Sequence, residues 1–272
     1  MKKKLSKFLA LTLALAMALG LSACGGNGDP QETGTAGTET SSPSAGESQS
    51  AGETYTVGIV QQMQHVALDS ATEGFQDALT ELLGDQVTFE YQNASGEATN
   101  CTTIVGDFVA SNVDLIMANG TTALQAAVSA TGDIPILGTS ITEYGVALGI
   151  DGFTGTTGMN VSGTSDLAPL DQQAAMIQEW FPEAQTVGLL YCSAEPNSQY
   201  QVDTVQGYLE AAGITCTQYS FSDSNDLSAV ATTACANSDV VYIPTDNTCA
   251  NNTQLIGNIA IDAGTPIIAG QG

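Results

Sequence analysis

Basic side chains are almost absent from this sequence of 272 residues. Four Lys or Arg residues and one His stand against 29 Asp and Glu, and the four basic residues are Lys2, Lys3, Lys4 and Lys7. A protein this acidic cannot neutralise nucleic-acid phosphates or anionic lipid headgroups, so we predict that it binds neither DNA nor RNA. Because no Lys or Arg follows Lys7, a ligand carboxylate must be held by hydroxyls, backbone N–H groups or His65.

Sequence signatures of catalysis and of metal binding are also missing. There is no G-x-S-x-G elbow, no G-x-x-x-x-G-K-[ST] loop and no G-x-G-x-x-G that opens a helix. A His-based triad could use only His65, and no nucleophile stands out beside it. The six cysteines are scattered without a C-x-x-C pair, so we expect mostly free, buried thiols and no metal site. We therefore predict that the protein is not an enzyme and that it needs no cofactor.

The N-terminal residues predict a protein that is exported and anchored. Residues 1–23 have a positive start and an apolar run, Phe8–Leu19, that is too short to span a bilayer. The motif Leu-Ser-Ala-Cys at residues 21–24 resembles a bacterial lipoprotein box, in which Cys24 carries the lipid; an ordinary secreted protein is the alternative. Residues 24–54 are rich in Gly, Ser and Thr and predict a disordered tether of on the order of 30 Å. We expect an extracytoplasmic protein held at the cell membrane by a lipid.

From Tyr55 onward, short apolar runs of β type alternate with amphipathic helical patterns. This alternation predicts parallel sheets with right-handed crossovers. It stops once, from Tyr144 to Asp166, and we therefore predict two Rossmann-like α/β lobes, residues 55–160 and 161–272, joined by a hinge. One continuous doubly wound domain is the alternative. The expected strands are Thr56–Val60, Val87–Tyr91, Val113–Ala118, Ile134–Gly138, Val187–Tyr191, Ile214–Ser220, Val240–Ile243 and Pro266–Ala269.

Polar residues follow the predicted strands, at the sheet edge where parallel sheets bind ligands. Two facing rims of this kind would form a cleft for a small neutral or zwitterionic solute. Each such residue could also be a simple helix N-cap, so only their convergence would indicate a site. The rims contain Gln61, His65, Thr121, Thr139 and Ser140 in the first lobe, and Asn197, Asp246 and Asn247 in the second.

Four stretches of the sequence resemble one protein family. They are VGIVQQMQHVALDSATEGFQDAL (Val57–Leu79), NVSGTSDLAP (Asn160–Pro169), AEPNS (Ala194–Ser198) and VYIPTDN (Val241–Asn247). The chain from Tyr55 onward is similar to ABC-transporter substrate-binding lipoproteins of the tryptophan/tyrosine-binding type, which have the type I periplasmic-binding fold. Members of that family continue past the position of Gly272, so the chain is expected to be truncated at its C-terminus.

The resemblance also implies contacts to an amino acid with an aromatic or other apolar side chain. The resemblance assigns separate residues to each part of the ligand and to the hinge. These are Thr121, Thr139 and Ser140 for the carboxylate, Asp246 for the ammonium, Gln61 and His65 for the side chain, and Ser165, Asp166 and Asn197 for the hinge side. Asn247 is a further predicted contact without an assigned role.

Taken together, the sequence predicts the solute-binding component of an ABC importer. We expect a monomer whose lobes close on a small molecule and whose closed form docks on a permease. Two other functions remain open at this stage. A receptor of similar build could signal to a membrane partner, or the α/β scaffold could be that of a surface hydrolase.

Overall fold

A computed structural model describes residues 53–270, which form two parallel β-sheets. The strand order is β2-β1-β3-β4-β5 in the first sheet and β7-β6-β8-β9 in the second. The strands are β1 (Tyr55–Gln61), β2 (Val87–Asn93), β3 (Leu115–Asn119), β4 (Ile136–Ile141), β5 (Val161–Ser165), β6 (Thr186–Cys192), β7 (Thr215–Phe221), β8 (Val240–Ile243) and β9 (Ile267–Ala269). The helices are α1 (Val66–Leu83), α2 (Ala98–Ser111), α3 (Thr121–Ala130), α4 (Tyr144–Leu148), α5 (Leu170–Trp180), α6 (Pro196–Ala211), α7 (Ser224–Ala236), α8 (Asn247–Ala250) and α9 (Thr253–Ala263).

Each sheet forms the centre of one lobe. We call β1–β5 with α1–α4 lobe one, and β6–β9 with α5–α9 lobe two. Helices cover both faces of each sheet, so the central strands are buried on both sides and appear in the sequence as continuous apolar runs. Six of the seven residues of β6 and all four of β8 are buried. The eight strands expected from the sequence are all present, and the predicted α/β class is confirmed.

Helix α1 covers one face of the first sheet. Its residues Leu68, Phe75 and Leu79 lie on one side, because positions three, four and seven apart share a helix face. Leu68 is buried, and Phe75 and Leu79 pack against the cluster around Ile59 of β1. The helix ends at Gly84, whose φ of 56° lies in the region that favours glycine.

The opposite face of the first sheet is centred on Phe108 of α2. Phe108 has no exposed surface and belongs to one cluster with Val105 and Leu124. A Cβ added to Gly58 of β1 would lie 2.7 Å from the Phe108 ring. Glycine therefore lets this helix approach the strand closely.

The two lobes repeat one arrangement at the start of their sheets. In lobe one, Asp114 Oδ2 accepts a hydrogen bond from Thr56 N at 2.7 Å, and Asp114 N donates to Thr56 O at 2.8 Å. In lobe two, Asp239 Oδ2 accepts from Thr186 N at 2.8 Å, and Asp239 N donates to Thr186 O at 3.0 Å. Each aspartate thus ties the start of the lobe's first strand to the strand beside it. The repeat supports the interpretation of two similar lobes.

Strand β5 corrects the predicted boundary between the lobes. Val161–Ser165 pairs with β4 in the first sheet, so the change of sheet comes after Ser165 and not between residues 160 and 161. The strand was not predicted because Val161 alone of its five residues is buried, which leaves no apolar run. Gly163 is needed there, since a Cβ at this position would lie 2.1 Å from Gly138 O of β4. The short helix α4 was not predicted either.

The five cysteines in the described part of the chain are all free, as predicted, and four of them are buried. Burial raises the pKa of the Cys101 and Cys192 thiols to about 11. The predicted signal at residues 1–23, the lipid-carrying Cys24 and the tether as far as residue 52 lie outside the described residues. Within residues 53–270, no helix is long and apolar enough to cross a membrane.

Candidate ligand-binding site

The segments that follow the strands of the two lobes meet each other. Helix α4 of lobe one contacts helix α6 of lobe two. His65, which directly precedes α1, has its Nε2 atom 3.0 Å from Oδ1 of Asn247, the first residue of α8. Within residues 53–270, this is the one side-chain hydrogen bond that joins a residue of lobe one to a residue of lobe two.

A cavity of about 660 Å³ lies beside this contact and is bounded by both lobes. Lobe one contributes His65, Val66 and Ala67, and lobe two contributes Asp246 and a set of mainly apolar residues. The apolar part of the wall includes Ile243, Pro244, Cys249, Ile256, Ile267 and Ala269. The cavity therefore combines one acidic group with an apolar wall, and its size is that of small-molecule sites.

The most completely bonded side chain near the cavity is Glu195, which is 3% exposed. Its Oε2 accepts hydrogen bonds from Asn247 N at 3.0 Å and from Asn247 Nδ2 at 2.8 Å. Its Oε1 accepts from Thr248 N at 2.9 Å and from Thr248 Oγ1 at 2.8 Å. Four donors thus converge on one carboxylate, which fixes the start of α8 relative to the loop after β6.

Asp246 is a second buried carboxylate at the start of α8. Its Oδ2 accepts from Cys192 N at 2.7 Å and its Oδ1 from Cys249 N at 2.8 Å. Burial, followed by the nearby charge of Asp246, raises the pKa of Glu195 to about 7. Burial also raises the pKa of Asp246, although backbone N–H donors oppose this effect. Since no Lys or Arg follows Lys7, the two carboxylates have backbone and side-chain donors around them in place of a basic partner.

The orientation of the Asn247 amide follows from these contacts. Its Nδ2 group donates to Glu195, so its Oδ1 atom faces His65 and can only accept. His65 must therefore carry a proton on Nε2. Glu195, Asn247 and His65 form one chain of hydrogen bonds that begins inside lobe two and ends on lobe one.

The residues predicted for the rim of lobe one differ in where the structure places them. Gln61 is fully buried, and its amide bonds to Met63 O at 2.8 Å and to Asp69 Oδ1 at 2.7 Å, so it positions α1 and does not face a ligand. Thr121 begins α3. Ser140 has a φ of 56° at an irregularity in the pairing of β4 with β5. A non-glycine residue in this conformation is uncommon and is typical of functional sites.

The predicted residues gather only in part. Of the predicted residues, His65 and Asp246 line the cavity, and Asn247 lies beside it through its hydrogen bond to His65, whereas Thr121, Thr139 and Ser140 do not line it. On the hinge side, Ser165 Oγ donates to Thr142 O at 2.8 Å, and Asp166 is exposed. The buried Asn197 donates to Thr245 O at 3.2 Å, next to Asp246, while its Oδ1 atom has no hydrogen-bond partner.

Comparison with known proteins decides which family this arrangement represents. The profile of a family described as "ABC transporter substrate binding protein" matches residues 56–271. The chain belongs to this family. The predicted family is confirmed, and the function of the family agrees with the expectation of a binding protein with no catalytic activity.

Three proteins to which this substrate-binding protein is similar show the degree of likeness within the family. A tyrosine-binding protein from Clostridioides difficile (strain R20291) is 33% identical over 218 residues, which cover 79% of this chain and 63% of that protein, so the chain spans less than two thirds of this relative. The ABC domain in complex with L-Trp from Streptococcus pneumonia is 30% identical, with a TM-score of 0.75 over 80% of this chain and 74% of that one. The ligand-free, open structure of a substrate binding protein with adhesive properties from Clostridium difficile is 33% identical, with a TM-score of 0.55 over 79% and 74%.

At similar identity and coverage, the TM-score is 0.75 to the L-Trp complex and 0.55 to the ligand-free open structure. In the present arrangement the hydrogen bond between His65 and Asn247 joins the two lobes. Solved amino-acid-binding structures at 19% and 18% identity have the same fold, which confirms the predicted type I periplasmic-binding class.

Sequence reasoning missed the residue with the most contacts at this site, Glu195. It falls inside the stretch AEPNS that carried the resemblance, three residues after the end of strand β6 and directly before Pro196, the first residue of α6. Its position resembled that of an ordinary helix cap. The available signal was indirect: an acidic residue between a buried strand and a helix, in a chain without a basic partner, must find several N–H or O–H donors.

Proposed function

We propose that this protein is the extracytoplasmic, lipid-anchored binding component of an ABC importer, and that it holds an aromatic or other apolar amino acid between its lobes. The observation that carries the proposal is the cavity of about 660 Å³, which both lobes bound and which has one acidic group and an apolar wall. The relatives agree with this ligand class, since one is a tyrosine-binding protein and another is in complex with L-Trp.

In this proposal Asp246 takes the ligand's ammonium group. The carboxylate borders the cavity, and each of its oxygens accepts one backbone N–H bond. The Ser198 hydroxyl and the Cys249 thiol also bond to this carboxylate, so the ammonium would replace one of these weaker donors. The ligand would then bring the positive charge that the chain itself lacks beyond Lys7.

The ligand's carboxylate and side chain need different surroundings. With no Lys or Arg beyond Lys7, the carboxylate would bind hydroxyl and N–H groups. Thr121, Thr139 and Ser140 were predicted for this role by the resemblance, but they lie outside the wall of this cavity, so their contact with the ligand stays a prediction. The side chain would lie against the apolar wall, where an aromatic ring buries a large area at a low entropic cost. Gln61 no longer belongs to the proposed contacts, because its amide is bonded within lobe one.

The same proposal gives the protein its place in the cell. A lipid on Cys24 and the tether that follows would keep the two-lobed body at the outer face of the membrane as a monomer. Closure on the ligand would then present both lobes together to a permease.

Calorimetric titration of the full chain, prepared without lipid, tests the ligand class. We expect heat with L-tryptophan, L-tyrosine, L-phenylalanine or L-leucine, and none with L-lysine or L-glutamate. Asp246→Asn should weaken binding by about 10- to 100-fold, since hydrogen bonds to charged groups contribute roughly 1.5–3 kcal/mol. Asp171→Asn, an equal change of charge on the exposed start of α5, should leave affinity unchanged. Absence of heat with every amino acid would show that the ligand class is wrong.

A further inference from the structure

The contact between His65 and Asn247 has a position that distinguishes it from the other polar contacts of the molecule. It is the one side-chain hydrogen bond between the lobes within the described part of the chain, and it joins residues 182 positions apart. His65 also lines the cavity. A bond at this place exists while the lobes are closed and must break when they separate.

Glu195 controls whether this bond can form. Asn247 donates to the same Glu195 oxygen through both its backbone N (3.0 Å) and its Nδ2 (2.8 Å), so the carboxylate fixes the position and the rotation of the amide together. Thr248 holds the other oxygen through two further bonds. Without Glu195, the Asn247 amide would lose the bonds that hold its Oδ1 atom toward His65 Nε2.

We propose that Glu195, Asn247 and His65 form an interlobe latch that stabilises the closed form over the cavity, with Glu195 and Asn247 acting as positioning residues and not as ligand contacts. The inference rests on the proposed function in one respect, which is that ligand binds the closed form. A bond present in the closed form alone raises the fraction of molecules that are closed, and the apparent affinity rises by the same factor.

The expected size of the effect is modest. One net hydrogen bond changes an equilibrium by about 2- to 10-fold. His65→Ala and Asn247→Ala should therefore each weaken the binding of L-tryptophan or L-tyrosine by that factor, mainly through faster dissociation, because the bond must break before the ligand can leave. Asn225→Ala, the same change on the exposed start of α7, should alter neither the affinity nor the dissociation rate.

A double-mutant cycle separates a latch from a merely structural role. If the residues act through one bond, the His65→Ala/Asn247→Ala variant should bind as weakly as either single variant. Glu195→Gln should weaken binding in the wild-type background but add nothing in the His65→Ala background. Effects that multiply, or a Glu195→Gln effect that persists without His65, would overturn the latch.

Solution scattering of the ligand-free chain keeps the inference independent of the ligand. The latch predicts a larger radius of gyration for His65→Ala and for Asn247→Ala than for the wild type and Asn225→Ala. If wild type binds no amino acid, the proposed function fails, and the scattering result still decides on the latch. Equal radii for all four proteins, together with unchanged affinities wherever binding occurs, would refute it.

Discussion

Replacing Glu195 with Gln should reduce the pH dependence of folding stability between about pH 4.5 and pH 7, the interval in which this carboxyl titrates. In the folded protein, burial and then the charge of Asp246 raise the pKa of Glu195 from its ordinary value of 4.5 to about 7. In this interval the folded state binds the proton more tightly than the unfolded state does. The contribution of Glu195 to stability is therefore full below the lower pKa and is lost as the pH rises through the upper one.

The magnitude follows from the two pKa values. Each unit of pKa corresponds to roughly 1.4 kcal/mol, so the free energy of unfolding should fall by at most roughly 3–4 kcal/mol across this interval because of Glu195. That figure is an upper limit, since Glu195 and Asp246 lie close enough to titrate as a pair. A glutamine at 195 does not titrate, and it also removes a like charge from beside Asp246.

Urea unfolding at a series of pH values from 4.5 to 8 measures this effect. The variant Glu183→Gln provides the control, because it removes the same charge from an exposed position and keeps the repulsion among the remaining acids comparable. The quantity to compare is the slope of the free energy of unfolding against pH, which should be less steep for Glu195→Gln than for Glu183→Gln. If the two variants lose stability with pH at the same rate, the buried carboxyl is not the titrating group and the reasoning from burial is refuted.

Three further outcomes test the packing of the lobes. Gly58→Ala should destabilise lobe one by about 1–3 kcal/mol, because the new Cβ would lie 2.7 Å from the Phe108 ring. Gly74→Ala, on the open surface of helix α1, is the control and should be neutral or stabilising. Thermal unfolding of the two variants measures the difference. Tyr242→Phe should cost about 1 kcal/mol in urea unfolding, since the buried hydroxyl donates to Gln173 Oε1 at 2.6 Å. A thiol reagent at pH 8 should modify the four buried cysteines only after unfolding, as peptide mapping would report; fast native-state labelling would contradict this for Cys101, Cys192, Cys235 and Cys249.

Most strands could be predicted from the sequence, because a strand that is buried on both faces has apolar residues at successive positions. Strand β8, Val240–Ile243, was predicted with its observed bounds, and it is buried at every position. Strand β5 escaped because its stability comes from pairing with β4 and from the close contact at Gly163, neither of which requires apolar side chains. A strand of this kind is visible only when the neighbouring strand is already in place.

The candidate site was predictable as a location but not as a set of contacts. The rule that ligands bind beyond the carboxyl ends of parallel strands singled out His65 and Asp246, and both border the cavity. It could not show that Gln61 turns inward to bond Asp69, or that Glu195 reaches Asn247 across 52 positions of the chain. The hydrogen-bond partner of each polar side chain depends on which donors the fold brings close to it, and the spacing of residues in the sequence does not indicate these partners.

The shortage of basic residues explains why the site has this form. A buried carboxylate needs either a cation or several hydrogen-bond donors, and beyond Lys7 this chain offers donors only. Glu195 obtains its four donors, and Asp246 one of its two backbone donors, from the first residues of α8. The same short helix contributes Cys249 and Ala250 to the lobe-two side of the cavity. A change that weakens the bonds of Glu195 therefore also releases Asn247 from the position in which it contacts His65. Stability of the acids and closure of the lobes are coupled through one short helix.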